Sequence, residues 1–137
     1  MTATAIDSGM RRAAAIAAAF VATLAVLVAA AFVWVWIYSE FIHPGGDAAY
    51  YQAYARVASP VVAVVLAGPV FYAMAVLMRH FGSAATAMAL SVVGLNLLTD
   101  AASLLAFDVD LGFNLGMSLL AAIAKVTGAW LGARPRR

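Results

Sequence analysis

The sequence predicts an all-α, polytopic integral membrane protein, with four transmembrane helices in an antiparallel bundle. Three observations carry that reading. Hydrophobic residues make up 66% of the chain and charged residues 10%, against about 45–50% and about 25% in soluble domains. The mean hydropathy of +0.99 means that 137 residues carry too little polar surface to coat a globule, so lipid is the natural solvent. Four apolar stretches each reach the roughly 20 residues that cross a hydrocarbon core of about 30 Å. They form a single domain over residues 1–137, with spans at about 13–38, 57–78, 83–107 and 111–131.

The first span follows Arg11 and Arg12. Its about 26 residues exceed the apolar core of a secretory signal, so it is read as a retained helix. It is rich in Ala, with Thr23 its one polar residue before Ser39, and small side chains suit close packing in a membrane. An outer loop, 39–56, comes next. Pro44-Gly45-Gly46 ends the helix and Asp47 is a good N-cap for another. From Asp47 to Met78 a helix would run about 48 Å, too long for an upright crossing, so Pro60 is expected to break or bend it. Tyr50, Tyr51 and Tyr54 share one face, with Gln52 and Arg56 opposite. That pattern predicts a short interfacial helix after the first span, with tyrosines at the membrane–water boundary.

The second span carries Gly68-Pro69, and Arg79-His80-Phe81-Gly82 links it to the third; Asp108-Val109-Asp110 links the third to the fourth. Connections this short make neighbouring helices antiparallel. The two helical hairpins show no internal repeat.

Orientation follows from charge. Arg11, Arg12, Arg79, Arg134, Arg136 and Arg137 fall on one side, while Glu40, Asp47, Asp108 and Asp110 fall on the other, with Arg56 the exception. The positive-inside bias then predicts both termini in the cytoplasm and a multi-pass protein of the bacterial inner-membrane type. The net charge of +2 reflects that orientation and gives no reason to expect a nucleic-acid partner. The absence of cysteine excludes disulfides, thiol catalysis and thiolate metal ligands.

Chemistry concentrates in the third helix. Asn96, Thr99, Asp100 and Ser103 stand at i, i+3, i+4 and i+7, hence on one face. The fourth helix carries Asn114, Ser118 and Lys125 close to one face of its own. Polar groups in lipid must face protein or water, so these stripes predict a shared seam, an ion or ligand pathway. Asp100 and Lys125 are each about seven residues from a helix end, which separates their backbones by roughly 11 Å along the normal. Their side chains lean toward their own helix N-termini and so toward each other. Two outcomes are open: a direct or water-bridged pair, or a Lys125 that snorkels to the inner interface. For Asp100 the alternatives are a proton or ion role and a helix-locking hydrogen bond. On the second helix, Pro69 frees the carbonyl of Val65. Counting by rise places Val65 near the depth of Asp100 and Tyr72 near that of Lys125, so two readings are open: a kink at Pro69 that adds to a polar track, or a simple bend, the commoner case in membrane helices.

Glu40, His43 and Asp47 form an outer rim. Glu40-Phe41-Ile42-His43 has the Glu-x-x-His spacing of carboxylate-bridged metal bundles, although Pro44 biases His43 away from helix; the rim is a possible metal site or a solvated loop. His43 and His80 are predicted on opposite sides of the membrane and cannot clamp one haem, so no cofactor is assigned. There is no G-x-S-x-G, no HExxH and no phosphate loop. Ser39, His43 and Asp47 have the letters of a triad without its scaffold, and Met74, Met78 and Met88 read as core filler.

The leading expectation is transport or permeation of a proton, ion or small solute along the seam, in a homo-oligomer, since four helices hardly enclose a wide pore. The alternative is a non-catalytic accessory or ligand- or lipid-binding subunit of a larger membrane complex. An enzyme acting on lipid through Glu40, His43 and Asp47 ranks third. Membrane lipid is the expected environment under every reading.

Overall fold

A computed structural model describes residues 3–106 and 110–134, with side chains from residue 8 onward. Helix α1 spans Ala3–Ile37, α2 Ala48–Met78, α3 Ala85–Ala106 and α4 Leu111–Ala133; no strand occurs among the described residues. Asp108, Arg136 and Arg137 lie outside the described residues. Three helical stretches are long and apolar enough to cross a membrane, Ser8–Ile42, Ala48–Ala106 and Leu111–Ala133, which marks a multi-pass membrane protein. The second of these turns back on itself at Gly82, whose φ of 62° is a conformation that glycine adopts without strain. Past this turn α3 returns along α2, and Met74 and Met78 share a core with Met88 and Val92.

The separate interfacial helix expected after the first span is not seen. α2 runs unbroken from Ala48 through Pro60 and Pro69 to Met78. Proline is tolerated inside membrane helices where neighbours re-satisfy the freed backbone, and the first turns of α2 are pinned to the end of α1. The Tyr38 ring stacks on Tyr54 with centroids 3.7 Å apart, the Tyr38 and Tyr50 hydroxyls meet at 3.0 Å, and Trp34 donates its Nε1–H to the Tyr54 hydroxyl at 2.9 Å. At 31 residues, α2 is about 46 Å long, longer than the membrane core it would cross. α1 likewise begins ten residues before the expected span.

Between α1 and α2 the chain closes through a π turn, Tyr38–Ile42, ended by His43 N–H donating to Tyr38 O at 2.9 Å. Tyr51 then staples the loop: its hydroxyl donates to His43 O at 2.7 Å and accepts from Gly46 N–H at 2.9 Å. Asp47 caps α2 by accepting from Tyr50 N–H at 2.8 Å, and Asp110 caps α4 by accepting from Phe113 N–H at 3.1 Å. Each cap satisfies one donor that a helix start leaves open.

The closest packing joins α2 and α4, which run parallel with Gly68 against Gly128 and Tyr72 against Gly132. A Cβ on Gly128 would collide with the Gly68 carbonyl, and one on Gly132 with the Tyr72 carbonyl. The sequence Gly128-Ala129-Trp130-Leu131-Gly132 is therefore a small-xxx-small contact surface. Arg79 seals the end of this pair, its Nε–H donating to Gly132 O at 2.6 Å. α1 packs on α2 and α3, α4 packs on the same two, and α1 and α4 lie at opposite corners.

Burial is uneven along the bundle. On α3 the buried residues run from Ala85 to Asn96, and on α4 from Ala121 to Ala133. The half that carries Arg79 and Arg134, the arginine end, is closed around Phe71, Ala75, Ala89, Val92 and Ala129, all at 0% exposure. In the other half, the tyrosine end, α3 and α4 carry no buried residue among those described, while α1 and α2 stay joined through Trp34, Tyr38 and Tyr54.

Candidate functional site

Where the closed half meets the open half lies a cavity of about 340 Å³ bordered by all four helices. α1 contributes Leu24, Leu27, Val28 and Ala31, and α2 contributes Ser59, Pro60 and Ala63. These walls are almost wholly apolar. The facing walls are mixed: Asn96, Asp100 and Ser103 stand beside Leu104 on α3, and Asn114, Ser118 and Lys125 beside Met117 and Ala121 on α4. The position of Pro60 on this wall shows its part in the fold: it faces the cavity without breaking α2.

At the floor, Lys125 Nζ meets Asp100 Oδ2 at 2.6 Å. Of the two outcomes open from sequence, the direct pair forms. The Lys125 side chain is 3% exposed and that of Asp100 33%. The ammonium also lies 5.7 Å from the centroid of the Phe71 ring, within the range of a cation–π contact. Lys125 is thus held by a carboxylate and an aromatic face, a pairing that offsets part of the cost of removing an ammonium from water. Asp100 accepts from Lys125 through Oδ2 and borders the cavity.

The remaining seam residues divide. Asn96, 1% exposed, donates Nδ2–H to Thr23 Oγ1 at 3.3 Å and to Val92 O at 3.1 Å. The Thr23 hydroxyl donates in turn to Phe20 O at 3.0 Å, so this buried amide ties α3 to α1 rather than to α4. Ser103 donates to Thr99 O at 2.9 Å and Asn114 to Asp110 O at 2.9 Å, while both border the cavity. Thr99 returns its hydroxyl to Leu95 O at 3.0 Å and is not among the lining residues. Pro69 and Val65 lie on the exposed side of α2 because Gly68 and Phe71 face α4 and the cavity floor. The carbonyl that Pro69 frees therefore does not extend the polar track. Tyr72 sits beside Gly132, about two turns from Lys125, and not at its depth.

At the tyrosine end, Glu40, His43 and Asp47 do not converge. Among the described residues no three His, Asp or Glu side chains stand close enough to hold a metal ion. Asp47 serves as a cap, the His43 ring packs on Tyr50 at 4.8 Å and on Tyr38 at 6.1 Å, and Glu40 is exposed on the π turn. A second cavity, about 610 Å³, runs between α1 and α2 under the Trp34–Tyr54 hydrogen bond, with walls of Val, Leu, Ile and Ala.

Phe71, Thr23 and Ser59 belong to the site although the polar stripes do not include them. Thr23 had a signal, as a lone polar residue in an apolar helix. Phe71 had none, because a phenylalanine in a membrane helix is ordinary core. Comparison of the chain with family models, curated proteins and solved structures returned no match.

Proposed function

We propose that the protein is a four-helix bundle of the inner membrane, with both termini cytoplasmic, that moves a proton, ion or small solute along the seam between α3 and α4. The observation that carries the proposal is the half-open cavity ending on the Asp100–Lys125 pair. Ionisable groups inside a membrane mark ion paths and relays, and this pair stands where the open half of the bundle gives way to the closed half. Asp100 is the group that meets the solute, Lys125 is its counter-ion, and Asn96, Ser103, Asn114 and Ser118 supply polar walls. Arginines at one end and acids at the other support the orientation. Large exposed apolar side chains on the outer faces of α3 and α4, among them Leu98, Leu105, Leu115 and Leu119, suit lipid or a second copy. In proteoliposomes, Asp100→Asn is expected to abolish solute or proton flux. Unchanged flux would end this reading.

A second reading draws on a different observation. Beyond the pair toward the arginine end, the core is closed by fully buried side chains, so a single chain offers no continuous path. On this reading the cavity is a ligand-binding pocket in an accessory subunit of a larger membrane complex. Mass measurement after purification in mild detergent separates the two: a hetero-complex favours the accessory role, a homo-oligomer the transport role.

A further inference from the structure

We infer that the cavity takes a small organic cation, a protonated primary amine, whose ammonium is held by Asp100 in competition with Lys125. This inference rests on the reading of the cavity as a solute site and names the class of solute. Three observations point the same way. The first is the unequal exposure of the pair. Both side chains border the cavity, but Lys125 is 3% exposed and packed against Asp100 and Phe71, whereas Asp100 is 33% exposed. A ligand arriving in the cavity therefore meets mainly the carboxylate. Lys125 donates to Oδ2, a carboxylate has lone pairs on both oxygens for a further N–H donor, and charge-assisted hydrogen bonds of this kind are the strong ones.

The second observation is the charge at the open end. Among the described residues Glu40, Asp47 and Asp110 stand there against Arg56, while Arg11, Arg12, Arg79 and Arg134 gather at the closed end. A low-dielectric cleft behind a mouth of one sign raises the local concentration of the opposite ion. The third is shape. A volume of about 340 Å³ is at the small end of ligand cavities, which run from about 300 to about 1,000 Å³. Leu27, Val28 and Ala63 form an apolar wall opposite Asp100. An ion with a short alkyl chain matches both walls, and a bare metal ion leaves the apolar one unused.

Competition with Lys125 gives a test with opposite signs for its two partners. Binding of radiolabelled n-butylammonium is measured by equilibrium dialysis on the full chain in phosphatidylcholine nanodiscs. The wild-type chain is expected to bind saturably, and Asp100→Asn to lose binding. Lys125→Met is expected to tighten it by roughly tenfold, since it removes the resident cation from the carboxylate. Because a single change leaves a charge without its partner, the neutral double variant Asp100→Asn/Lys125→Met serves as a folded control and is expected not to bind. Weaker binding in Lys125→Met, or wild-type binding in the double variant, overturns the inference, as does acetate binding that Lys125→Met abolishes. Binding and flux fail separately. Saturable n-butylammonium binding without flux removes the transport reading and keeps the site. Flux of another solute without n-butylammonium binding removes this inference and keeps the transport reading.

Discussion

At the scale of single residues the molecule turns on one ion pair of unequal partners. Breaking a buried pair by neutralising one member costs about 3–5 kcal/mol, because the other charge stays buried and unpaired. Here the two halves of that cost differ. Asp100→Asn leaves the ammonium of Lys125 at 3% exposure, whereas Lys125→Met leaves a carboxylate that is already one-third exposed. Thermal melting in detergent is expected to show Asp100→Asn destabilised by about 3 kcal/mol, the low end of that range, and Lys125→Met by clearly less. Equal losses would contradict the burial difference on which the cation site depends. Asn96 works on a smaller scale. Its amide links α3 to the Thr23 hydroxyl of α1, and such interhelical bonds average only about 0.6 kcal/mol in membranes, so its contribution is as much to helix register as to stability.

At the scale of helices, the α2–α4 contact depends on the absence of two Cβ atoms. Gly128 and Gly132 lie directly against the backbone carbonyls of Gly68 and Tyr72. A backbone cannot move aside as a flexible side chain does. Gly128→Ala is therefore expected to force the helices apart and to lower stability by about 1–3 kcal/mol, as overpacking does. Gly116 on the same helix has nothing within 4 Å of the position a Cβ would take, so Gly116→Ala should be neutral or slightly stabilising through helix propensity. Parallel melts of the two variants check this, and coincident melting temperatures would refute the close approach. Both prolines of α2 sit within a continuous helix, so the bend that Pro60 suggests from sequence does not divide the element.

At the scale of the whole molecule, α3 and α4 are buried in one half of the bundle and exposed in the other. Small residues close the arginine end, while the tyrosine end is braced across its loop by Tyr38, Tyr50, Tyr51 and Tyr54 and leaves a cavity beneath. On the proposed orientation, with both termini cytoplasmic, single cysteines placed at Gly45 and at Ser83 would face opposite sides of the membrane. An impermeant maleimide added to intact cells is expected to label Gly45→Cys and to reach Ser83→Cys only after permeabilisation. The reverse pattern would invert the orientation and place the cavity mouth toward the cytoplasm.

Much of this was legible before any tertiary contact was known. Composition and apolar length dictate helices in lipid, because no soluble fold can coat so much apolar surface; Asp47 marks a cap by its local chemistry, and the short polar links at 79–82 and 108–110 mark the turns. The i, i+3, i+4, i+7 spacing likewise places the polar stripe on one face of α3. Helical periodicity fixes which residues share a face but not which neighbour that face meets, so the link from Asn96 to Thr23 and the outward turn of Pro69 were beyond it. The choice between pairing and snorkelling for Lys125 was equally open, since a flexible stem reaches both places. Packing made that choice: the close approach of Gly68 and Gly128 brings Phe71 over the ammonium, and α3 supplies the carboxylate within 2.6 Å.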